Sequence, residues 1–327
     1  GNSSFGINPP CYGGGMIFVG LAGGAVQAFN AETLESLWVF KDTLGGQPNC
    51  TIQYSDGYIY TGFWNSETKD ANFVCVSATD EDPDNPTETK YATWTYAVQG
   101  GFYWAGAYVT DKYAIVGSDD GESDSTSDSS YVYCFDKLTG EVVQKVGPHH
   151  GDIRSDISYY DGRIYFTSKG GYLYSYNLKE DGTIDTENLI EPIEIGKMST
   201  STPAIANGRC YVGSSYGSNF SGTYGISVVD INEETGAMSL EYVVYTDAYP
   251  QTSGVVSTGY KGYNYVYFAT NGPSGNLWVV KDAPGMTEPD EGSQVLYTPE
   301  HKQYCISSVA VDKDGTIYFK NDSAYMI

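Results

Sequence analysis

Tyr58-Ile59-Tyr60-Thr61-Gly62 and Tyr113-Ala114-Ile115-Val116-Gly117 are two copies of one phrase. It recurs as Met16-Ile17-Phe18-Val19-Gly20, Ile164-Tyr165-Phe166-Thr167-Ser168, Cys210-Tyr211-Val212-Gly213, Val266-Tyr267-Phe268-Ala269 and Ile317-Tyr318-Phe319-Lys320. Aromatic and β-branched residues dominate each copy, as they do in strands. The seven copies stand roughly 42 to 56 residues apart, a spacing that marks a repeat architecture. Around each copy the order is the same: a polar turn, a short strand of small residues, a tight turn often holding Gly, the aromatic strand, a loop, an alternating strand, another turn and a fourth strand. Four short strands per period predict a β-propeller. One such sheet cannot bury both faces alone, whereas sheets stacked around an axis can, and ring closure removes most open edges. The expected fold is all-β, a single propeller domain over residues 1–327 with about seven four-stranded blades. An eight-bladed ring with one blade missing is the alternative.

Small residues are expected in the first strands, at Ser199-Thr200-Ser201-Thr202, Thr252-Ser253-Gly254-Val255 and Ile306-Ser307-Ser308-Val309, because innermost strands crowd the axis. The last repeat reaches only its third strand, Ala324-Tyr325-Met326-Ile327. Residues 1–4 are the expected source of a short closing strand, unless another blade lies upstream.

Composition agrees. The chain holds 31 Tyr and 39 Gly against 17 Lys plus Arg, which suits short strands and tight turns rather than exposed helices. A formal net charge of -24 repels phosphates and anionic lipid, so nucleic acid is excluded as a partner. No apolar run approaches the ~20 residues of a membrane-spanning helix, and no membrane insertion is expected. Low basicity with much Tyr, Ser, Thr and Asn suggests an exported protein, extracellular or at the cell surface, and a monomer. The six cysteines form no CxxC and no zinc spacing with the three His, and are read as buried free thiols.

The third and fourth strands carry a family phrase. Val26-Gln27-Ala28-Phe29-Asn30-Ala31-Glu32-Thr33-Leu34-Glu35-Ser36-Leu37-Trp38 resembles the quinoprotein (PQQ-type) repeat, roughly A-x-D-x-x-T-G-x-x-x-W. Ala28, Thr33 and Trp38 match, Asn30 stands for Asp, and Leu34 departs from Gly. Phe135-Asp136-Lys137-Leu138-Thr139-Gly140 keeps the turn, with Gln144 in place of Trp. Val229-Asp230 aligns with Thr235-Gly236 across two extra residues, and Trp94 holds the fourth-strand position of the second unit. The resemblance implies that the Asp and Thr-Gly build the turn between strands three and four, and that Trp38 and Trp94 pad the space between blades.

It also implies a functional face, where the turns entering strand one meet the loops between strands two and three. The candidate ligand-binding residues there are Gln47, Asn49, Trp64, Tyr103, Trp104, Asp152, Arg154, Lys169, Gln251 and Tyr304. Aromatic faces with planar amides suit a glycan, a peptide or a protein ligand. Asp152 and Arg154 alternatively pair with each other. Three long loops, about Trp64–Asn72, Asp119–Ser130 and Ser214–Thr223, form the expected rim. Asp119, Asp120 and Asp124 offer oxygens that suit Ca²⁺, although the run lacks EF-hand spacing. The acidic run at Asp80–Asp84 is expected to be a solvated loop.

Enzymes of the resembled family bind PQQ with cationic side chains, a Ca²⁺ site, an Asp base, a stacking Trp and often adjacent Cys. This chain has three Arg. Arg163 and Arg209 fall in turns between strands one and two, leaving Arg154, with Lys169 and Lys197 as helpers, for a tricarboxylate. No G-x-S-x-G motif is present, and His149-His150 has no evident nucleophile beside it. The expectation is therefore a non-catalytic binding or scaffold propeller, with no cofactor except possible Ca²⁺. A PQQ-dependent dehydrogenase is the alternative.

Overall fold

A computed structural model describes residues 9–124, 126–217, 222–323 and 327. The closing strand expected in residues 1–4, most of the third strand at 324–327, Ser125 in the acidic loop and residues 218–221 of the third long loop lie outside them. The described residues hold strands and no helix. The chain forms two compact units: one runs to Ile157 and includes Leu178–Ile184, and the other comprises Ser158–Asn177 with the residues from Asp185 onward.

The first unit contains three antiparallel sheets. Sheet one is Cys11–Gly13, Met16–Leu21, Ala25–Asn30 and Ser36–Lys41. Sheet two is Gln53–Ser55, Tyr58–Gly62, Asp70–Ser77 and Ala92–Gln99, and sheet three is Tyr108–Val109, Tyr113–Gly117, Ser130–Asp136 and Val142–His149. The second unit contains sheet four (Ser158–Tyr160, Arg163–Thr167, Tyr172–Asn177, Ile193–Glu194), sheet five (Ala204–Ala206, Arg209–Ser215, Tyr224–Ile231, Met238–Thr246), sheet six (Val255–Tyr260, Tyr263–Ala269, Leu277–Asp282, Gln294–Tyr297) and the two-stranded sheet seven (Ala310–Val311, Ile317–Tyr318). All seven copies of the aromatic phrase are thus second strands.

Core residues sit between consecutive sheets. Phe18, Val26, Trp38 and Phe40 of sheet one pack with Ile59, Val74 and Val76 of sheet two. Tyr60, Phe73 and Trp94 of sheet two pack with Ala114, Val116 and Phe135 of sheet three. In the second unit, Tyr165 and Leu173 meet Cys210, Val212 and Val229, and Tyr211, Val228 and Tyr242 meet Val266 and Phe268. All six thiols are free, and all but the half-buried Cys11 are buried.

Within each unit, polar side chains also tie neighbouring segments together. The Trp38 indole N–H donates to the Ala78 carbonyl at 3.2 Å, and the Trp94 indole donates to Lys137 O at 2.9 Å, where the Tyr60 hydroxyl also donates. Gln144, standing where Trp is usual, donates to Ile184 O at 2.9 Å and accepts from Ile184 N at 2.7 Å. In the second unit arginines do this work. Arg163 donates to Asn177 and to the Glu233 and Glu234 carbonyls, and Arg209 forks onto Asp282 with both bonds at 2.9 Å. Both arginines are the buried first residues of second strands rather than turn residues. A buried guanidinium draws its acceptors from the elements packed around it.

Two further expectations are corrected. The small-residue stretches precede the first strands, except that Val255 begins one. Their hydroxyls bond the next such stretch: Ser201 Oγ donates to Thr252 O, and Thr252 Oγ1 to Ser307 O. A hydroxyl that can reach a carbonyl across the gap leaves the ladder to the residues that follow. The turn of sheet five also has no extra residues, because Asn232, not Asp230, takes the Asp position. Asn232 Oδ1 accepts from the N–H groups of Glu234 and Thr235, as Asp136 Oδ1 does from Leu138 and Thr139 and Asn30 Oδ1 from Glu32 and Thr33. Asp230 instead pairs with Arg209 at 3.2 Å.

The acidic run is an irregular, largely exposed loop, as expected. It leads into Glu88–Lys90, a fifth strand that pairs in parallel with Ser36–Lys41 of sheet one. Lys90 is buried and ties this insert down through Glu81, Glu88 and the Thr79 carbonyl.

Gly140 and Leu34 occupy the same turn position, both with positive φ (73° and 61°). A Cβ at 140 would lie 2.5 Å from the Trp94 ring. Gly140→Ala should therefore cost about 1–3 kcal/mol through overpacking on top of the backbone strain. Gly162→Ala, with φ 77° and nothing within 4 Å, should show the strain alone. Leu34→Gly removes a left-handed non-Gly residue and should stabilise by up to about 1 kcal/mol. Urea unfolding midpoints of the three variants check this.

Candidate functional site

The face expected from the repeat topology assembles in the first unit. Gln47, in the turn entering sheet two, exchanges backbone hydrogen bonds with Trp64 in that sheet's second loop. The turn entering sheet three bonds the same region through Phe102 N to Phe63 O, Asp119 N reaches Gly101 O, and Ile153 N reaches Ser118 O. Loops from three successive sheets are thereby held edge to edge. This places Trp64, Tyr103, Trp104, Asp119, Asp152 and Arg154 together.

Tyr103 is the hinge of an aromatic cluster. Its ring lies 4.6 Å from Trp64 and 4.4 Å from Trp104, centroid to centroid, and the Arg154 guanidinium lies 4.7 Å from its centre. All three rings are partly exposed. Trp104 holds a φ of 59°, which costs an aromatic residue about 1–2 kcal/mol. Asn49 is buried and donates to Gln47 at 2.9 Å, and it also bonds Tyr103. Its Oδ1 has no donor, and neither does the buried Trp104 Nε1 have an acceptor.

Arg154 is buried and tied to protein carboxylates. Its Nε donates to Asp119 Oδ1 at 3.1 Å, and Nη2 donates to Asp119 Oδ2 and Glu67 Oε2, each at 2.7 Å. Asp152 Oδ2 also stands 2.7 Å from Nη2. Two protons cannot serve three oxygens, so Asp152 Oδ2 keeps the ion pair and lacks a hydrogen bond. Its other oxygen accepts from Asp120 N at 2.9 Å, and Trp64 Nε1 donates to Asp119 Oδ2 at 3.0 Å. Burial, followed by the charge of Asp119, pushes the Asp152 carboxyl up. Burial alone would lower the pKa of Arg154, but Asp119 and Asp152 raise it and keep the guanidinium charged.

Lys169, Gln251 and Tyr304 belong to the second unit. Gln251 is buried and accepts from Asn271 at 2.9 Å, and Tyr304 is exposed. Lys197 pairs with Glu194 at the surface. Of the carboxylates considered for Ca²⁺, Asp120 accepts from Glu122 N and Ser127 Oγ, and Asp124 from Thr126. Among the described residues it is Glu67, Asp119 and Asp152 whose oxygens converge within 4.8 Å. Arg154 lies within 2.7 Å of an oxygen of each of the three, so a guanidinium occupies the charge position that a cation would take. His149 is buried, which pushes its pKa down to about 4, and His150 bonds Asp128.

Glu67 is the residue that sequence reasoning did not single out. It lies 87 residues from Arg154 in the chain, and only the meeting of the second loop of sheet two with the turn entering sheet four brings them together.

The pyrroloquinoline cofactor of quinoproteins does not fit this donor set. It carries three carboxylates, and the site's one arginine already serves three from the protein. What the fold and the site define is a β-propeller of the quinoprotein-repeat class. The chain belongs to the family of the outer membrane protein assembly factor BamB, whose model matches residues 87–282, more than half of the chain. Among solved structures, BamB from Moraxella catarrhalis is similar at 15% identity and a TM-score of 0.62, over 96% of this chain and 82% of that one. The computationally designed Ika8 protein is similar at 13% identity and a TM-score of 0.54, over 98% of this chain and 94% of that one. At such identities these structures speak for the fold. No curated protein matches the chain.

The raised Asp152 pKa has a measurable sign. The folded carboxyl holds its proton to higher pH than an unfolded one, which loses it at about 4. Folding therefore takes up a proton above that value, and stability from this group falls as pH rises from about 4 through the folded carboxyl's own range. Asp152→Asn removes that dependence, so its melting temperature relative to the wild type should climb from pH 5 to pH 9.

Proposed function

We propose that this chain is an exported, non-catalytic binding or scaffold module, one propeller domain over residues 1–327, which engages its ligand on the Trp64–Tyr103–Trp104 face. The observation that carries the proposal is the state of Arg154. It is buried under three protein carboxylates and beside partly exposed aromatic rings, which is an arrangement for packing and recognition. An arginine spent in this way cannot clamp an anionic cofactor or stabilise developing negative charge.

Membership of a family described as an assembly factor favours a protein or peptide ligand over a glycan. Aromatic side chains at a partly desolvated face are the usual anchors of such contacts. No helix among the described residues is long and apolar enough to cross a membrane. We place the protein outside the cell or at its surface, as a monomer.

Two measurements test the proposal. Addition of PQQ with Ca²⁺ should leave the melting temperature unchanged and give no dye-linked alcohol oxidation. A saturable response in both assays overturns the non-catalytic reading. Peptide and glycan arrays should then yield a ligand whose affinity falls about tenfold or more in Trp104→Ala, the range of a lost aromatic anchor. Binding that survives this change, in a variant with an unaltered melting curve, removes the ligand from this face.

A further inference from the structure

We infer that the second unit carries a docking groove, between sheets four and five, for a segment of a protein partner that presents apolar side chains flanked by lysine or arginine. It is a surface additional to the aromatic face of the first unit.

Unequal strands leave the groove open. The fourth strand of sheet five, Met238–Thr246, is nine residues long, whereas the fourth strand of sheet four, Ile193–Glu194, is two. Met238 stands opposite Ile231, and Leu240 opposite Val229. Ile231 and Val229 belong to the core that sheet five shares with Tyr165 and Leu173 of sheet four. Residues directly paired across two strands project on one face, so Met238 and Leu240 also point toward sheet four. A two-residue strand is too short to cover them: Met238 is half-buried and Leu240 is 40% exposed.

The segment before Ile193 supplies the other wall. Leu189, Ile190 and Ile193 line, with Ala237 and Met238, a groove of about 220 Å³. Leu189 is 69% exposed, yet its segment is pinned. Asp185 N donates to Asn177 O, Asp185 Oδ1 accepts from Glu187 N and Asn188 N, and Asn188 Nδ2 donates to Asp185 Oδ2 at 2.8 Å. A leucine held in water beside further bare apolar side chains makes a contiguous patch, which marks an interaction site where a scattered surface leucine does not. Pockets for drug-sized ligands hold about 300–1,000 Å³. The groove is smaller, and suits side chains of a peptide segment.

Charge selects the occupant. Residues 185–196 and 231–246, which build the two walls, include Glu187, Glu191, Glu194, Glu233, Glu234 and Glu241 and no Lys, Arg or His. Glu191 lines the groove itself. Lys197 pairs with Glu194, and Arg163 is spent on the backbone carbonyls of Glu233 and Glu234. Among the described residues, Glu187, Glu191, Glu234 and Glu241 form no salt bridge. An apolar groove ringed by glutamates complements an apolar side chain set between cations. Lysine and arginine also lay their stems along apolar surface while the charged head reaches a carboxylate. A second copy of this chain would set glutamate against glutamate, and an anionic lipid surface is repelled.

The test uses the full chain and a capped peptide of glycine and serine that carries two leucines among three lysines. In one analogue glutamates replace the lysines, and in another serines replace the leucines. Titration calorimetry should show saturable binding of the basic peptide, weakened by added salt, and binding of both analogues about tenfold or more weaker. Leu189→Ser changes an exposed side chain and should fold with an unaltered melting curve, yet weaken the basic peptide by about fivefold or more. Leu138→Ser, at a leucine 59% exposed in the first unit, and Trp104→Ala should leave that binding unchanged. Equal binding of the glutamate analogue, indifference to Leu189→Ser, or no binding of the basic peptide at about 1 mM overturns the inference. A dimer in sedimentation that Leu189→Ser dissociates gives the groove to a second copy, and loss of binding in Trp104→Ala gives the peptide to the aromatic face. Either result overturns the inference as well.

Discussion

A backbone carbonyl at the end of one sheet's third strand, taken by a side chain of the sheet before it, is the contact on which the rest of this molecule depends. Trp38 takes Ala78 O and Trp94 takes Lys137 O. A four-stranded sheet with two apolar faces is unstable in isolation, and burying those faces sheet against sheet supplies the driving force. Apolar burial is not directional, however, and does not fix where one sheet sits on the next. The indole hydrogen bond does, and the ring around it brings a large area out of water; truncating such a Trp costs about 3–5 kcal/mol. Gly140 belongs to the same contact. The turn glycine is required by its φ of 73° and equally by the Trp94 ring that lies over it.

The chain solves this docking problem with different side chains as it proceeds. Gln144 reads both backbone groups of Ile184, and Arg163 and Arg209 replace an indole with a guanidinium. The arginine solution is the more demanding. A buried guanidinium needs its charge matched, and Asp282 supplies that to Arg209 while also accepting from the hydroxyls of Tyr211 and Tyr242. Removing one partner from such a set strands the others. The same logic recurs at the candidate site, where the Arg154 pairs hold three loops in register. There, unlike at Arg209, one carboxylate oxygen, Asp152 Oδ2, is left without a hydrogen bond.

The aromatic strands were legible in the sequence because Tyr, Ile, Val and Phe at those seven places serve one purpose, burial between sheets. The Asp136 turn was legible for a similarly local reason, since its cap reaches only three residues ahead. Legibility failed where a residue's partner lies far along the chain. Ser201 and Thr252 looked like strand residues, but their hydroxyls serve the next small-residue stretch. Asp230 sits where a turn Asp is expected and is drawn instead to Arg209. The pairing of Asp152 with Arg154 could be anticipated at two residues' separation, whereas Glu67 and Asp119 join them only through tertiary structure.

The parallel strand Glu88–Lys90 bears on how the protein behaves at high concentration. The outer margin of a sheet is a row of vacant amides and carbonyls that a second chain can extend into a fibril. On sheet one that row is filled from within by a three-residue strand, and buried Lys90 keeps the insert from peeling away. The acidic segment that precedes it, Asp80 to Asp84, then serves as a gatekeeper, setting like charge against any copy that approaches. A stretch that reads as mere solvated linker therefore contributes to colloidal stability in a protein whose architecture is otherwise built from sheet margins.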